Sequence, residues 1–250
     1  MSRRPAVLVI AGSDSSGGAG IVRDLRVLAD LNVEALCAVT AVTAQTHGQL
    51  ISAHHIPPDL VRAQIRTALA SAAVGAIKIG MLGTAATVRA VAEALPPADT
   101  IPIVLDPVLL SSSGGVLLDE AGRAEMIARL FRRATVLTPN IPEAASLCGA
   151  SPAASPEAGV AQARALLATG ARAVLLKGGH GEGPEAVDLL LCADEEPIWL
   201  SSARIEGRCR GTGCALASAL AAGLAGGSSV EAACREARQY VLSMLAARAP

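Results

Sequence analysis

Aromatic side chains are nearly missing from this 250-residue sequence, which has one Trp, one Tyr and one Phe. Base-stacking platforms for nucleic acid are therefore not available, and the core must be packed from Ala, Val, Leu and Ile. An excess of one charge is lacking as well. The formal net charge is −1, and no Lys/Arg-rich run stands out, so neither a nucleic-acid nor a membrane-surface partner is expected. No apolar run reaches the roughly 18 to 20 residues of a membrane helix, because Gly, Pro or charge interrupts each candidate. The start, Met1 to Gly12, is basic and then apolar, but a polar Gly/Ser loop follows it directly, which predicts a first strand rather than an export signal. Cys37, Cys148, Cys192, Cys209, Cys214 and Cys234 form no C-x-x-C pair and are not matched by His at zinc-finger spacing. Reduced thiols in the cytoplasm are the expectation. Also missing are G-x-x-x-x-G-K-S/T and G-x-G-x-x-G, so neither a P-loop nor a Rossmann nucleotide fingerprint is supported.

What the sequence does contain is alternation. Apolar runs of strand length at Ala6–Gly12, Ala35–Val42, Ala76–Gly80, Ile101–Asp106, Thr135–Leu137 and Ala173–Leu176 are separated by stretches of helical period. Those stretches are Ala19–Asp30, Pro58–Ala72, Thr84–Ala94, Asp119–Arg132, Ile141–Cys148 and Glu157–Thr169, each bounded by Ser, Thr, Asp, Pro or Gly. Continuous Val/Ile/Leu strands predict a mostly parallel sheet buried on both faces, built of right-handed βαβ units. The last third changes character. Ala186–Cys192 and Pro197–Ala203 flank the acidic turn Asp194-Glu195-Glu196 and predict an antiparallel edge pair. Two Ala/Leu-rich helices, Cys214–Ala225 and Val230–Ala247, close the chain. A 52% hydrophobic chain of this length predicts one α/β domain over residues 1–250, a three-layer αβα fold with an antiparallel edge near its C-terminal third.

Two Gly-rich turns and three strand ends carry the candidate chemistry. Arg210-Gly211-Thr212-Gly213-Cys214 runs into an Ala-rich helix, whose first amides lack internal partners and would stabilise a transferring phosphoryl group. Cys214, read as the first helical position, would have its thiolate favoured by the same field; burial as a small hydrophobe is the ordinary alternative. Gly12-Ser13-Asp14-Ser15-Ser16-Gly17-Gly18-Ala19-Gly20 follows the first strand, and its small residues allow backbone to approach a ligand. Asp106, Asn140 with Glu143, and Lys177 follow three further strands. Together they supply carboxylates and an amide to organise Mg²⁺ and a cation to neutralise phosphate. Singly, they read equally well as a turn cap, a helix-favouring acid and a solvated strand end.

Seven motifs occur in order: Ala11-Gly12-Ser13-Asp14 with Ser16 to Ile21, Thr40 to Gln45, Ile77 to Leu82, Leu105-Asp106-Pro107-Val108, Leu137 to Ala144, Leu176-Lys177-Gly178-Gly179-His180, and Gly211 to Cys214. In these the chain resembles, over nearly its whole length, the hydroxymethylpyrimidine and phosphomethylpyrimidine kinases of thiamin biosynthesis, members of the ribokinase-like superfamily. The resemblance implies transfer of the γ-phosphoryl of ATP to the hydroxymethyl oxygen of a pyrimidine, with a second phosphorylation in many members, and Mg²⁺ as cofactor. It implies Gln45 as reader of the ring nitrogen and amino group, with Gly12, Asp14, Gly18, Ala19 and Met81 around the substrate. It assigns Cys214 as candidate base and the Gly211-Thr212-Gly213 turn as the phosphoryl cradle. Asn140, Lys177 and Thr212 fall to the nucleotide, and Asp106 and Glu143 to the metal. A homodimer is implied in the same way.

The chain departs from the family's usual pattern at four places: Arg210 replaces a His, Val22-Arg23 replaces Gln-Ala, and Ser15 replaces a Pro. Arg210 can face phosphate better than a neutral His. Two other readings remain open: a pyridoxal or pyridoxine kinase on the same scaffold, and a pyrimidine-binding protein without turnover.

Overall fold

A computed structural model describes residues 6–111, 114–179, 183–205 and 210–247. His180 and Cys209 fall outside the described residues. The elements are β1 (Ala6–Asp14), α1 (Gly20–Asp30), β2 (Glu34–Gln45), β3 (Leu50–His55), α2 (Pro58–Ser71), β4 (Val74–Ile79), α3 (Ala85–Ala94), β5 (Ile103–Leu105), α4 (Glu120–Arg129), β6 (Val136–Leu137), α5 (Ile141–Cys148), α6 (Pro156–Leu167), β7 (Ala173–Leu176), β8 (Glu185–Cys192), β9 (Ile198–Ala203), α7 (Thr212–Ala225) and α8 (Val230–Ala246). The strands form one sheet in the order β3-β2-β1-β4-β5-β6-β7-β8-β9. From β2 to β7 neighbouring strands are parallel, and β8 and β9 add the antiparallel edge expected from the sequence.

A second antiparallel edge was not legible. β3 pairs with β2, yet Leu50-Ile51-Ser52-Ala53-His54-His55 has little apolar alternation, and all but Leu50 are exposed. An edge strand covered by nothing leaves no burial pattern to read. Its partner β2 consequently runs to Gln45, which stands at a strand end rather than within a loop.

Period-2 alternation divides the strands between two cores. In β1, Leu8 and Ile10 join one apolar cluster, while Val7, Val9 and Ala11 join the other. Helices α2 to α6 cover the first face and α1, α7 and α8 the second, giving three layers. Helix α7 is the innermost element of its layer, with nine of its fourteen residues buried, so it is apolar all round as an enclosed helix must be. Its packing uses small residues at close range. A Cβ added at Gly75 would come 3.1 Å from Ala225 Cβ, and one at Gly223 would come 3.0 Å from Ala233 Cβ. This seating directs the N-terminus of α7 at the C-terminal ends of the parallel strands. Among the described residues no helix is long and apolar enough to cross a membrane.

Candidate active site

The loop after β1 is organised by Asp14, which is 2% exposed. Its Oδ1 accepts from Ser16 N at 2.8 Å and Ser16 Oγ at 2.7 Å, and its Oδ2 accepts from Ala19 N at 2.9 Å. Both oxygens therefore hold the loop, a local cap of the kind Asp provides to turns. Gly20 has φ +58°, and a Cβ there would lie 2.3 Å from Gly12 O, so only glycine fits. Gly12 itself lies against Met81: a Cβ at Gly12 would meet Met81 Sδ at 2.7 Å. Met81 is fixed from behind, where Thr40 Oγ1 donates to its carbonyl at 2.6 Å.

The second Gly-rich turn meets the first. Gly211 has φ +79°, and a Cβ on it would fall 2.2 Å from Gly18 O. Its carbonyl accepts the first helical bond, from Ala215 N at 2.9 Å. The amides of Thr212, Gly213 and Cys214 precede that bond, and among the described residues no side chain caps the helix. They form an open cluster of donors at the positive end of α7.

Cys214 corrects the sequence reading twice. It is the third residue of α7 rather than the first, and its thiolate is not favoured. Although part of the residue stays accessible, protein crowds the sulfur. That burial pushes the thiol up to about 11, with Asp24 and Asp106 adding to the rise and Lys78 and the Gly20 N–H opposing it. Desolvation outweighs the helix field, so at neutral pH Cys214 is a thiol.

Three strand ends converge below this turn. Lys177 Nζ donates to Asp106 Oδ1 at 2.8 Å, and Thr138 Oγ1 donates to the same oxygen at 3.2 Å. A Cβ added at Gly213 would stand 3.2 Å from Lys177 Nζ, so the ammonium lies against the amide cluster. Burial would depress the Lys177 amine, but Asp106 and Glu143 hold it above its ordinary value. Asn140 and Glu143 form a capping box at the start of α5. Asn140 Oδ1 accepts from Glu143 N, and Glu143 Oε2 accepts from Asn140 N, both at 2.8 Å. Burial raises the Glu143 carboxyl, against the pull of Lys177 and with the push of Asp106. Among the described residues no group of three His, Cys, Asp or Glu side chains is set to hold a metal. Two neighbouring carboxylates facing a phosphate cradle suit Mg²⁺, which commonly takes one or two protein carboxylates and completes its shell with phosphate oxygens and water.

Two groups of residues went unread in the sequence. Lys78 on β4 is fully buried and donates to Asp24 Oδ2 at 2.9 Å, while Ser218 Oγ of α7 donates to Asp24 Oδ1 at 2.8 Å. Burial would strip the Lys78 proton, but the Asp24 carboxylate, with Asp106 behind it, keeps the amine protonated. Burial also raises the Asp24 carboxyl, with Lys78 and Ser218 drawing it back. The signal was present in Val74–Ile79, where one lysine interrupts an apolar strand. Arg23, noted as a departure, and Arg210, expected to face phosphate, are tied into the site by contacts the sequence did not show. Arg210 Nη2 donates to Gln45 Oε1 at 2.7 Å and lies 3.6 Å from Asp14 Oδ2.

Residues 14–250 match the family model described as phosphomethylpyrimidine kinase. The chain belongs to the phosphomethylpyrimidine kinase family. A hydroxymethylpyrimidine/phosphomethylpyrimidine kinase of Streptomyces coelicolor is 44% identical over 248 residues, covering 98% of this kinase and 90% of the relative. Among solved structures, a phosphomethylpyrimidine kinase of Clostridium difficile superposes with a TM-score of 0.84 at 30% identity, covering 97% of this kinase and 100% of that chain. A pyridoxal kinase of Staphylococcus aureus superposes with a TM-score of 0.89 at 30% identity, covering 98% and 89%. The three-layer fold of this kinase is thus the ribokinase-like fold of its relatives.

Proposed function

We infer that this kinase transfers the γ-phosphoryl of ATP to the hydroxymethyl oxygen of 4-amino-5-hydroxymethyl-2-methylpyrimidine, and a second phosphoryl to the resulting monophosphate, in thiamin biosynthesis. The observation that carries the reading is the uncapped amide cluster of Thr212, Gly213 and Cys214 with Lys177 Nζ against it. Donors fixed in advance at a partly buried position stabilise the charge spread over a transferring phosphoryl group, which is most of what a kinase must supply.

In this reading the site residues take the following roles. Lys177, Asn140 and Thr212 take the nucleotide phosphates, and Asp106 and Glu143 hold Mg²⁺ or its waters. The ion, when bound, neutralises phosphate charge. Gln45 reads the pyrimidine edge with an amide that offers a donor and an acceptor, and Gly12 and Met81 form the wall beside the ring. Gly18 and Ala19 close the loop on the substrate, with Asp14 holding that loop in shape. Cys214 packs beside the reacting oxygen as a neutral thiol. An alcohol attacking through a loose transition state needs little general base, so positioning by the turn carries the rate. One domain over residues 1–250 contains all of these parts. A homodimer in the cytoplasm belongs to the same reading, supported by apolar Val42 and Ile51, which are 50% and 66% exposed on the β2–β3 edge.

The alternative of a pyridoxal kinase draws on the close fit to the Staphylococcus aureus structure. Incubation with ATP, Mg²⁺ and each of three acceptors, the pyrimidine alcohol, its monophosphate and pyridoxal, tests the reading by product analysis. The monophosphate and diphosphate of the pyrimidine are expected, and phosphorylation of pyridoxal alone would overturn it. ATP consumption with none of the three would favour a different alcohol, and no consumption a binding protein.

A further inference from the structure

Two of the departures from the family pattern meet in space, and both are arginines. Arg23 on α1 is 5% exposed. Its Nε donates to Gly18 O and its Nη2 to Arg210 O, each at 3.3 Å, and its Nη1 lies 3.7 Å from Met244 Sδ. Among the described residues no carboxylate lies within ion-pair distance of it. A buried guanidinium satisfied only by neutral acceptors leaves a positive charge uncompensated, and such a charge favours an anion nearby. Its bonds also aim the backbone. Carbonyl and N–H point opposite ways across a trans peptide, so Arg23 holding the Arg210 carbonyl turns the Gly211 N–H away from itself.

Arg210 stands on the other side of the same peptide. Besides Gln45 Oε1 and Asp14, it donates through Nη1 to Thr46 O, and its Cδ would lie 3.3 Å from a Cβ on Gly18. The side chain thus lies across the first Gly-rich loop, between the pyrimidine-reading amide and the phosphoryl cradle. The Gln45 and Thr46 oxygens it meets are neutral, and Asp14, 3.6 Å away, already accepts three bonds from Ser16 and Ala19.

We propose that Arg210, set in place by Arg23, recognises the phosphate of the phosphomethylpyrimidine and makes this kinase favour the monophosphate over the alcohol as acceptor. The proposal rests on the pyrimidine-kinase reading and names the substrate form that the site prefers. With the alcohol bound, Arg210 stays on Gln45 Oε1 and competes for that acceptor with the amino group of the ring. With the monophosphate bound, the guanidinium exchanges neutral oxygens for phosphate oxygens, a charge-assisted fork that is the stronger bond. Gln45 Oε1 is thereby released to the amino group. One movement serves both contacts. A His at this position offers neither the fixed charge nor the fork.

The test measures kcat/KM for the two acceptors, and calorimetric binding of each, in wild type, Arg210→Met, Arg210→Lys and Arg210→His. Arg210→Met is expected to lower the monophosphate-to-alcohol ratio of kcat/KM about ten- to a hundredfold, the range of a lost hydrogen-bonded charge contact, with monophosphate binding weakened by a similar factor. Lys, keeping the charge without the fork, should fall between. An unchanged ratio, or equal losses with both acceptors, overturns the proposal. Wild-type enzyme that phosphorylates the alcohol but not the monophosphate also overturns it, with the kinase reading intact. Neither turnover nor binding of either acceptor would sink the kinase reading itself. Arg23 is a positioning residue: Arg23→Met should lower kcat with both acceptors more than it raises either KM, with partial rescue by Arg23→Lys. A rise in KM alone removes Arg23 from the assignment.

Discussion

Removing one partner of the Lys78–Asp24 pair tests how the cradle is held. Both side chains are 0% exposed and 2.9 Å apart, and Asp24 also accepts from Ser218 of α7 at 2.8 Å. One carboxylate therefore joins α1, β4 and α7, the helix whose first amides are the proposed phosphoryl cradle. Asp24→Leu leaves a buried ammonium without its carboxylate, which should cost about 3–5 kcal/mol. For a chain of this size each kcal/mol moves Tm by roughly 2–4 °C, so a loss of about 6–20 °C is expected. Lys78→Met leaves the carboxylate unpaired and should cost a similar amount. The double variant Asp24→Leu with Lys78→Met removes both charges. It should recover most of the loss, less about 1–3 kcal/mol for the Ser218 hydroxyl left without an acceptor. Urea unfolding of the four proteins, with m-values compared, closes the double-mutant cycle. Coupling of at least about 2 kcal/mol is expected for groups in contact. Additive losses, with the double variant worse than either single one, would refute the argument that the pair acts as a unit.

Two other outcomes are expected. Gly211→Ala should lower kcat/KM more than about a hundredfold with little change in far-UV spectrum, because its Cβ would fall 2.2 Å from a backbone oxygen at φ +79°, and a displacement near 1 Å at the reacting centre is that costly; near-wild-type kinetics would show that the turn is not the cradle. Stability should fall as pH rises from 9 through 11. Burial raises the thiols of Cys214 and Cys192 to about 11 and Cys234 to about 12, from 9.0. The unfolded chain releases these protons first, so their stabilisation is full below pH 9 and lost as pH passes the folded values. Urea midpoints measured at pH 8, 9.5 and 10.5 should decline less steeply in Cys214→Ala, and equal slopes would contradict the buried-thiol assignment.

The central sheet was legible because strands buried on both faces, such as Ala6–Asp14 and Val74–Ile79, write continuous apolar runs into the sequence. β3 was not, since nothing covers it. Asp106 and Lys177 stood out as candidates from their positions at strand ends, and the structure puts them 2.8 Å apart. What local reasoning missed was competition between effects. The start of a helix suggested a thiolate at Cys214, but burial depends on what packs around the sulfur from α1, β4 and the first loop. Long-range pairs were equally hidden: Lys78 with Asp24 spans 54 residues and Arg210 with Gln45 spans 165. The capping box of Asn140 and Glu143 could have been read from its spacing.

Helix α7 also bears on how this scaffold can change over evolutionary time. Its neighbours approach so closely, at Gly75 and Gly223, that one added methyl on this interface shifts the helix axis and, with it, the amides at its N-terminus. Bulkier substitutions at these contacts are therefore expected to alter catalysis although they lie far from the reacting atoms. Room to diverge is left to side chains that reach the ligand from outside this layer. Positions 45 and 210 are of that kind, and the second of them is one where the chain departs from the family pattern.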